Sequence, residues 1–359
     1  LRNASETLEL ERALTGARWL TAARVIALLA LAAVLVVFPQ TTKVGYLLST
    51  GVVILNYAVT ATGWNFMGGF TGYISLGHAA YFGLGAYGTG ILVVKAGVSP
   101  FLALALAALI VAVIAVPIGI AALRVRGASF VIVTIAFVLI LLLMFQSMGS
   151  ITGGSGGLSL PRPFPDLIRT DHHRTFYYIY LGLLAVMLLA WWAIDRSRFG
   201  MGLKAVREDE DKARSLGVPT TGAKLVAFIL SAFFTGLGGG LYALWFGDLD
   251  PVFQFSIMMG AYMVLMSLLG GVRSLFGPLL GALVVGIAIE FFKAQYGDTQ
   301  FHLVATGLLL AVVVLFMPEG VIPAVKGLFA RFGPQASSIR EISAADLAAE
   351  RDAEEASKP

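Results

Sequence analysis

The residues able to do chemistry in this sequence are few. GLGAYG, Gly83 to Gly88, has the G-x-G-x-x-G spacing that lets backbone N–H groups approach a dinucleotide pyrophosphate. That reading needs a strand before it and a helix opening after it. Here the motif sits inside an apolar run, so small residues letting helices approach closely is the favoured reading. The same reading covers GLGGG (Gly236–Gly240) and GPLLG (Gly277–Gly281). GVPTTGAK, Gly217 to Lys224, approximates a phosphate-binding loop but fails it. Ala223 separates the second glycine from the lysine, and Leu225 stands where Ser or Thr is required. Nucleotide binding by this chain is therefore excluded.

His78, in SLGHAA, is one of four histidines. It fits a polar route or proton relay, because ionisable groups inside a membrane are costly to keep. It fits better as a neutral imidazole bonded to a nearby backbone carbonyl, with Ser75 sharing its surroundings. His172 and His173 fall in an external loop and are expected to be solvated. Glu290 with Lys293 reads as an i,i+3 pair anchoring a span near its outer end. No carboxylate pair, HExxH helix or Ser/His/Asp order rises above chance. The sequence has no cysteine, which removes disulfides, Cys-ligated zinc and iron–sulfur clusters. The expectation is a non-enzyme with no metal or cofactor of its own.

The strongest anomaly is a charged island. Between Lys204 and Arg214, eight of eleven residues are charged, whereas the whole chain is 13% charged and 58% hydrophobic. Read as one helix over 203–216, the island has Leu203, Val206, Ala213 and Leu216 on one side. Glu208→Lys212 and Glu210→Arg214 form i,i+4 pairs on the other. Gly200 and Gly202 precede it; Gly217 and Pro219 end it. A helix of about fourteen residues is marginal alone and needs a surface to dock on.

The elements that must position these residues are membrane spans. Mean hydropathy is +0.86, and the apolar runs approach the ~20 residues that cross a bilayer. The pattern predicts an all-α integral membrane protein with about ten segments: 20–38, 44–63, 70–96, 100–123, 127–147, 174–194, 223–244, 256–272, 274–296 and 300–317. The Gly-rich stretch 63–96 reads as a re-entrant half-helix leading into a full span. With the N-terminus inside, 19 of the 25 Lys and Arg fall on the inner side, which supports both termini in the cytoplasm. An even number of spans is implied, and eight would serve as well as ten. Three regions follow: an N-terminal segment 1–19 without signal-peptide features, a membrane-spanning region 20–325, and a cytoplasmic tail 326–359. Residues 148–173 and WFGDLDPVF (Trp245–Phe253) read as external loops. MGGFTGYISLGHAAYFGLGA (Met67–Ala86) and LGGVRSLFGPLLGAL (Leu269–Leu283) echo one another, as two halves of an internal repeat would.

GYISLGHAAYFGLGAY (Gly72–Tyr87), RSRFGMGLKAVREDEDKARSLGV (Arg196–Val218), LGGVRSLFGPLLGA (Leu269–Ala282) and FMPEGV (Phe316–Val321), in that order, resemble the permease subunits of branched-chain amino acid ABC importers. The LivM type, with its longer external loop, is the better match, over roughly residues 45–325. The resemblance implies a bacterial inner-membrane permease that does no catalysis itself. Its partners would be a LivH-type permease, two LivG/LivF-type ATPase subunits that bind ATP and Mg, a periplasmic substrate-binding protein and the lipid bilayer, with no nucleic acid. It implies that the island couples to an ATPase subunit through Gly202, Leu203, Val206, Arg207, Glu208, Glu210, Ala213, Arg214, Leu216 and Gly217. Asp209 and Asp211 make this island more acidic than the family pattern. Gly68, Gly69, Gly72, Ser75, His78 and Gly83 are the candidates for a translocation route. Two alternatives stay open: an ABC permease for another solute such as urea, a short amide or an aromatic carboxylate, and a stand-alone channel or secondary carrier.

Overall fold

The computed structural model describes residues 33–42, 44–297 and positions 304, 307 and 308. The expected segments 20–38 and 300–317 lie mostly outside these residues, as do 1–19 and 326–359 wholly. In a bilayer every backbone N–H and C=O must be satisfied within the segment, so the apolar runs become helices. They are α1 (Gly45–Thr71), α2 (His78–Val94), α3 (Pro100–Ala122), α4 (Ala128–Ser147), α5 (Arg169–Arg196), α6 (Arg198–Glu208), α7 (Glu210–Ser215), α8 (Thr220–Phe246), α9 (Ile257–Gly270) and α10 (Gly277–Tyr296). Among the described residues, seven helices are long and apolar enough to cross a membrane: α1, α3, α4, α5, α8, α9 with its preceding turn, and α10. The chain is a multi-pass membrane protein.

The Gly-rich stretch departs from expectation. α1 does not stop near residue 63 but continues to Thr71, taking Gly68 and Gly69 into its last turn. It ends because Gly72 adopts φ 75°, a left-handed conformation that L side chains rarely take. Residues 72–77 are then irregular, and α2 starts at His78. So the break follows a complete span rather than opening a re-entrant one. Part of its polar backbone is satisfied by side chains of this chain. Trp64 Nε1 donates to the Ser75 carbonyl at 2.7 Å. The Gly77 N–H donates to Ser75 Oγ at 3.2 Å. Ser75 itself is fully buried.

α1, α2 and α8 form the centre, with α9 and α10 along one side of α1. α2 and α8 approach so closely that a Cβ on Gly85 would collide with the Gly236 backbone, and one on Gly239 with the Phe82 carbonyl. GLGAYG and GLGGG are thus helix-crossing surfaces. GPLLG is another: Gly281 lies against the Met266 carbonyl. α3, α4 and α5 turn Val113, Ile132, Leu143, Val186 and Leu189 outward, as a lipid-facing layer does.

The helix ends define two faces. One holds the links 72–77, 123–127, 197–219 and 271–276. On it the two echoing segments meet: a Cβ at Gly69 would lie 2.8 Å from the Val272 carbonyl oxygen. Both links begin at a positive-φ glycine, Gly72 and Gly271. On the opposite face, β1 (Leu158–Ser159) pairs antiparallel with β2 (Asp248–Leu249). The loop 148–173 is therefore not all irregular. It is stitched to the loop after α8, and its last residues already belong to α5.

Candidate functional site

The island is two helices, not one. Asp209, at φ −161° and ψ 108°, ends α6 and caps α7. Its carboxylate accepts the N–H groups of Asp211 and Lys212, each at 3.0 Å. An acid with free N–H groups ahead of it favours a cap over a helix interior. Gly200 and Gly202 lie inside α6 rather than before it, and Ser197 supplies the cap, accepting the Gly200 N–H at 3.0 Å. Gly217 does end α7, at φ 86°. Its N–H reaches Arg214 O and that of Val218 reaches Ala213 O, both at 3.0 Å, which closes the helix end in a Schellman turn.

The break re-aims the side chains. Leu203, Val206 and Ala213 are buried as the pattern requires, but Leu216 is 83% exposed. Glu208 pairs with Arg273 at 3.2 Å instead of with Lys212, which pairs with Asp209 at 3.1 Å. Glu210 does meet Arg214, at 3.5 Å, yet it is no surface residue. Its carboxylate accepts from Lys224 Nζ at 2.6 Å and Tyr73 Oη at 2.8 Å, and Arg126 Nε lies 3.2 Å away. Burial would raise this carboxyl, but the Lys224 ammonium, the Tyr73 hydroxyl and Arg126 outweigh it and hold it below the ordinary value. Arg126 also clasps Asp211 with two bonds, at 3.1 and 3.2 Å, which raises its own pKa and lowers that of Asp211.

Arg207 anchors the other end. Its Nη1 donates to the Gly69 carbonyl at 2.5 Å, one of the last carbonyls of α1, which lack helical donors. Lys204 pairs with Asp195 at the end of α5, at 2.7 Å. The island is thus tied to the ends of α1 and α5, the break before α2, the α3–α4 link and the start of α8. Tyr73, Arg126 and Lys224 are not singled out by the sequence as partners of the island. A lone lysine in the first turn of a membrane span is the available signal for Lys224.

The six route candidates divide. Gly68, Gly69, Ser75, His78 and Gly83 are buried in this chain's own packing, and Gly72 is exposed. The Trp64 ring occupies the place of a Gly68 Cβ, and the Phe255 ring that of a Gly83 Cβ. Gly69 and Gly72 edge two clefts beside α6, of about 160 and 500 Å³. His78 Nε2 is 2.6 Å from Ser231 Oγ, and Ser231 donates to the Gly63 carbonyl at 2.7 Å. Because that hydroxyl's proton goes to Gly63, His78 donates from Nε2. The Ser231 hydroxyl is thus a partner of the ring.

On the opposite face an open cavity of about 620 Å³ is lined by Tyr46, Arg162, Arg169, His172, His173 and Trp245 among others. The two histidines are not simply solvated. They lie in the first turns of α5, and His172 is 6% exposed. His172 Nε2 is 3.2 Å from the Trp245 carbonyl, and Trp245 Nε1 donates to His173 Nδ1 at 3.1 Å. Glu290 and Lys293 pair at 3.0 Å, as their spacing suggests. Among the described residues no group of three His, Cys, Asp or Glu could hold a metal.

This arrangement ties a charged segment between α5 and α8 to the ends of several spans. Comparison with known proteins bears on it. The chain is 29% identical over 291 residues to the high-affinity branched-chain amino acid transport system permease protein LivM of Salmonella typhimurium, covering 74% of this chain and 68% of that one. It is 27% identical over 288 residues to the corresponding protein LivH of Escherichia coli, covering 74% and 91%. It is 28% identical over 143 residues to the fructose import permease protein FrcC of Rhizobium meliloti, covering 39% and 40%. No solved structure matches. A family described as branched-chain amino acid transport system / permease component matches residues 46–317, most of the chain and the whole of the island with its anchors, and the chain belongs to that family.

Proposed function

We propose that this chain is a membrane permease subunit of an ATP-driven, binding-protein-dependent importer for branched-chain, hydrophobic amino acids, lying in a bacterial inner membrane. The observation that carries the coupling role is the anchoring of the island: Arg207 on the α1 terminus, Glu210 on Tyr73 and Lys224. Displacing α6–α7 would pull on α1, the break before α2, and α8 together. Its outward groups, led by Leu216, would seat in an ATPase partner, which binds ATP and Mg and does the hydrolysis. Ten of the fifteen described Lys and Arg lie on the island's face, which supports that face as cytoplasmic. The stitched loops of the opposite face would receive the substrate-binding protein, and a homologous LivH-type permease would complete the route. Gly69 and Gly72 lie where movement of the island would be felt first.

Replacing Arg207 and Glu210 together by Ala tests this. In vesicles holding the assembled complex, uptake should fall at least tenfold (about 1.4 kcal/mol of lost coupling) while ATP hydrolysis persists. Unchanged uptake per ATP would refute it. The relative named for fructose supports a second reading, an importer of another solute by the same coupling. A ligand screen on the neighbouring binding protein separates the two.

A further inference from the structure

Beside the island, at the bilayer edge of the same face, an open cleft of about 480 Å³ runs between the last turn of α3 and the first turn of α8. Its polar end is strongly basic. Arg124, Arg126, Arg214 and Lys224 line it, against Glu210. Glu210 is consumed by Lys224, Tyr73 and Arg126, and Asp211 by Arg126. Counting both acids, four cations face two carboxylates. Arg124 is exposed and has no ion pair among the described residues. Arg214, 57% exposed, has only long contacts to Glu210 and Thr220, at 3.3 to 3.5 Å. The other end of the cleft is apolar. Gly119 leaves Leu225 and Phe228 close to α3, and Ile120, 49% exposed, continues the wall toward the lipid-facing surface.

A basic end joined to an apolar crevice between two spans suits a molecule with an anionic head and acyl chains. We propose that this cleft binds the phosphate of an anionic phospholipid, with Arg124 and Arg214 on the headgroup and an acyl chain along Ile120 and Leu225. A soluble acidic partner would match the arginines but leave the apolar end uncovered. A free phosphate would do the same. A lipid held here touches Arg214 of α7, so it would set how firmly α7 is held. That consequence rests on the coupling role proposed above; the binding itself does not.

The test uses the full chain alone in detergent, without ATPase subunits, so failure of the coupling reading leaves it intact. Retained phosphatidylglycerol and phosphatidylcholine of the same acyl chains are compared by native mass spectrometry. Wild type should prefer phosphatidylglycerol about thirtyfold, from two arginines near a headgroup of net negative charge. Arg124→Glu should abolish that preference, and Arg124→Lys should keep most of it. If Arg124→Glu folds poorly, Arg124→Gln reads the same loss. Equal retention of both lipids by wild type would overturn the proposal, and so would a preference indifferent to Arg124→Glu and Arg124→Gln. Displacement by an equal concentration of glycerol phosphate would assign the site to a free anion instead. In a second measurement with the ATPase subunit added, weaker association of Arg124→Glu, with lipid preference intact, would assign it to a protein contact. Both outcomes also overturn it.

Discussion

Lys224 Nζ lies 2.6 Å from Glu210 Oε1, and their side chains are 3% and 7% exposed. A charged pair this well covered owes its place to what it joins. Lys224 is in the first turn of a membrane span, and Glu210 opens the second half of the island. Breaking such a pair is costlier than never having it, because the survivor stays buried without its counter-charge.

Lys224→Met should therefore destabilise the protein by about 3 kcal/mol, seen as a lower melting temperature in detergent. Lys224→Met with Glu210→Leu should recover most of the loss, since Arg126 keeps Asp211 and the remaining pair is apolar. A single variant melting with the wild type would show that the pair holds nothing.

The same carboxylate gives a pH signature. Glu210 titrates below its ordinary value of 4.5 when folded, so folding releases its proton. Its contribution is complete above about pH 4.5 and is lost as pH falls through the lower folded value. Asp209 and Asp211 are also lowered and act in the same direction. As pH falls below 4.5, wild type should lose melting temperature faster than Glu210→Gln. Parallel curves would place the acid sensitivity in the two aspartates.

Much of the scaffold is legible in the sequence because its stops are local. Pro100 opens α3 and Gly217 closes α7 by their own backbone chemistry. The island's interior is different. Whether Asp209 caps or continues a helix turns on where Glu210 points, and that is settled by Lys224, 14 residues on, and Tyr73, 137 residues back. Helical periodicity places Glu210 on a solvated side because it knows only i±3 and i±4 neighbours. Local pattern misplaces the end of α1 for a related reason: MGGF reads as a breaker, but Trp64 folds over Gly68 and the helix runs on.

Ser231→Ala separates the two readings of His78. It removes the acceptor of His78 Nε2 and the donor to Gly63 O, at a cost of about 1–3 kcal/mol. As a packing element, His78 predicts a lower melting temperature and an uptake-versus-pH curve of unchanged shape. A shifted curve would make the histidine a member of a proton path.

The crossing of α2 and α8 yields the most local prediction. A methyl on Gly85 meets the Gly236 backbone carbonyl, which, unlike a side-chain tip, cannot swing aside. Gly85→Ala must push these central helices away from each other, and overpacking of this kind costs about 1–3 kcal/mol. Gly182→Ala is the matched control, since nothing lies within 4 Å of its Cβ position and alanine is the better helix former. Melting temperature should fall in the first variant and hold or rise in the second. Equal behaviour would mean that the crossing tolerates a Cβ, and that the glycines of GLGAYG and GLGGG are kept for something other than close approach.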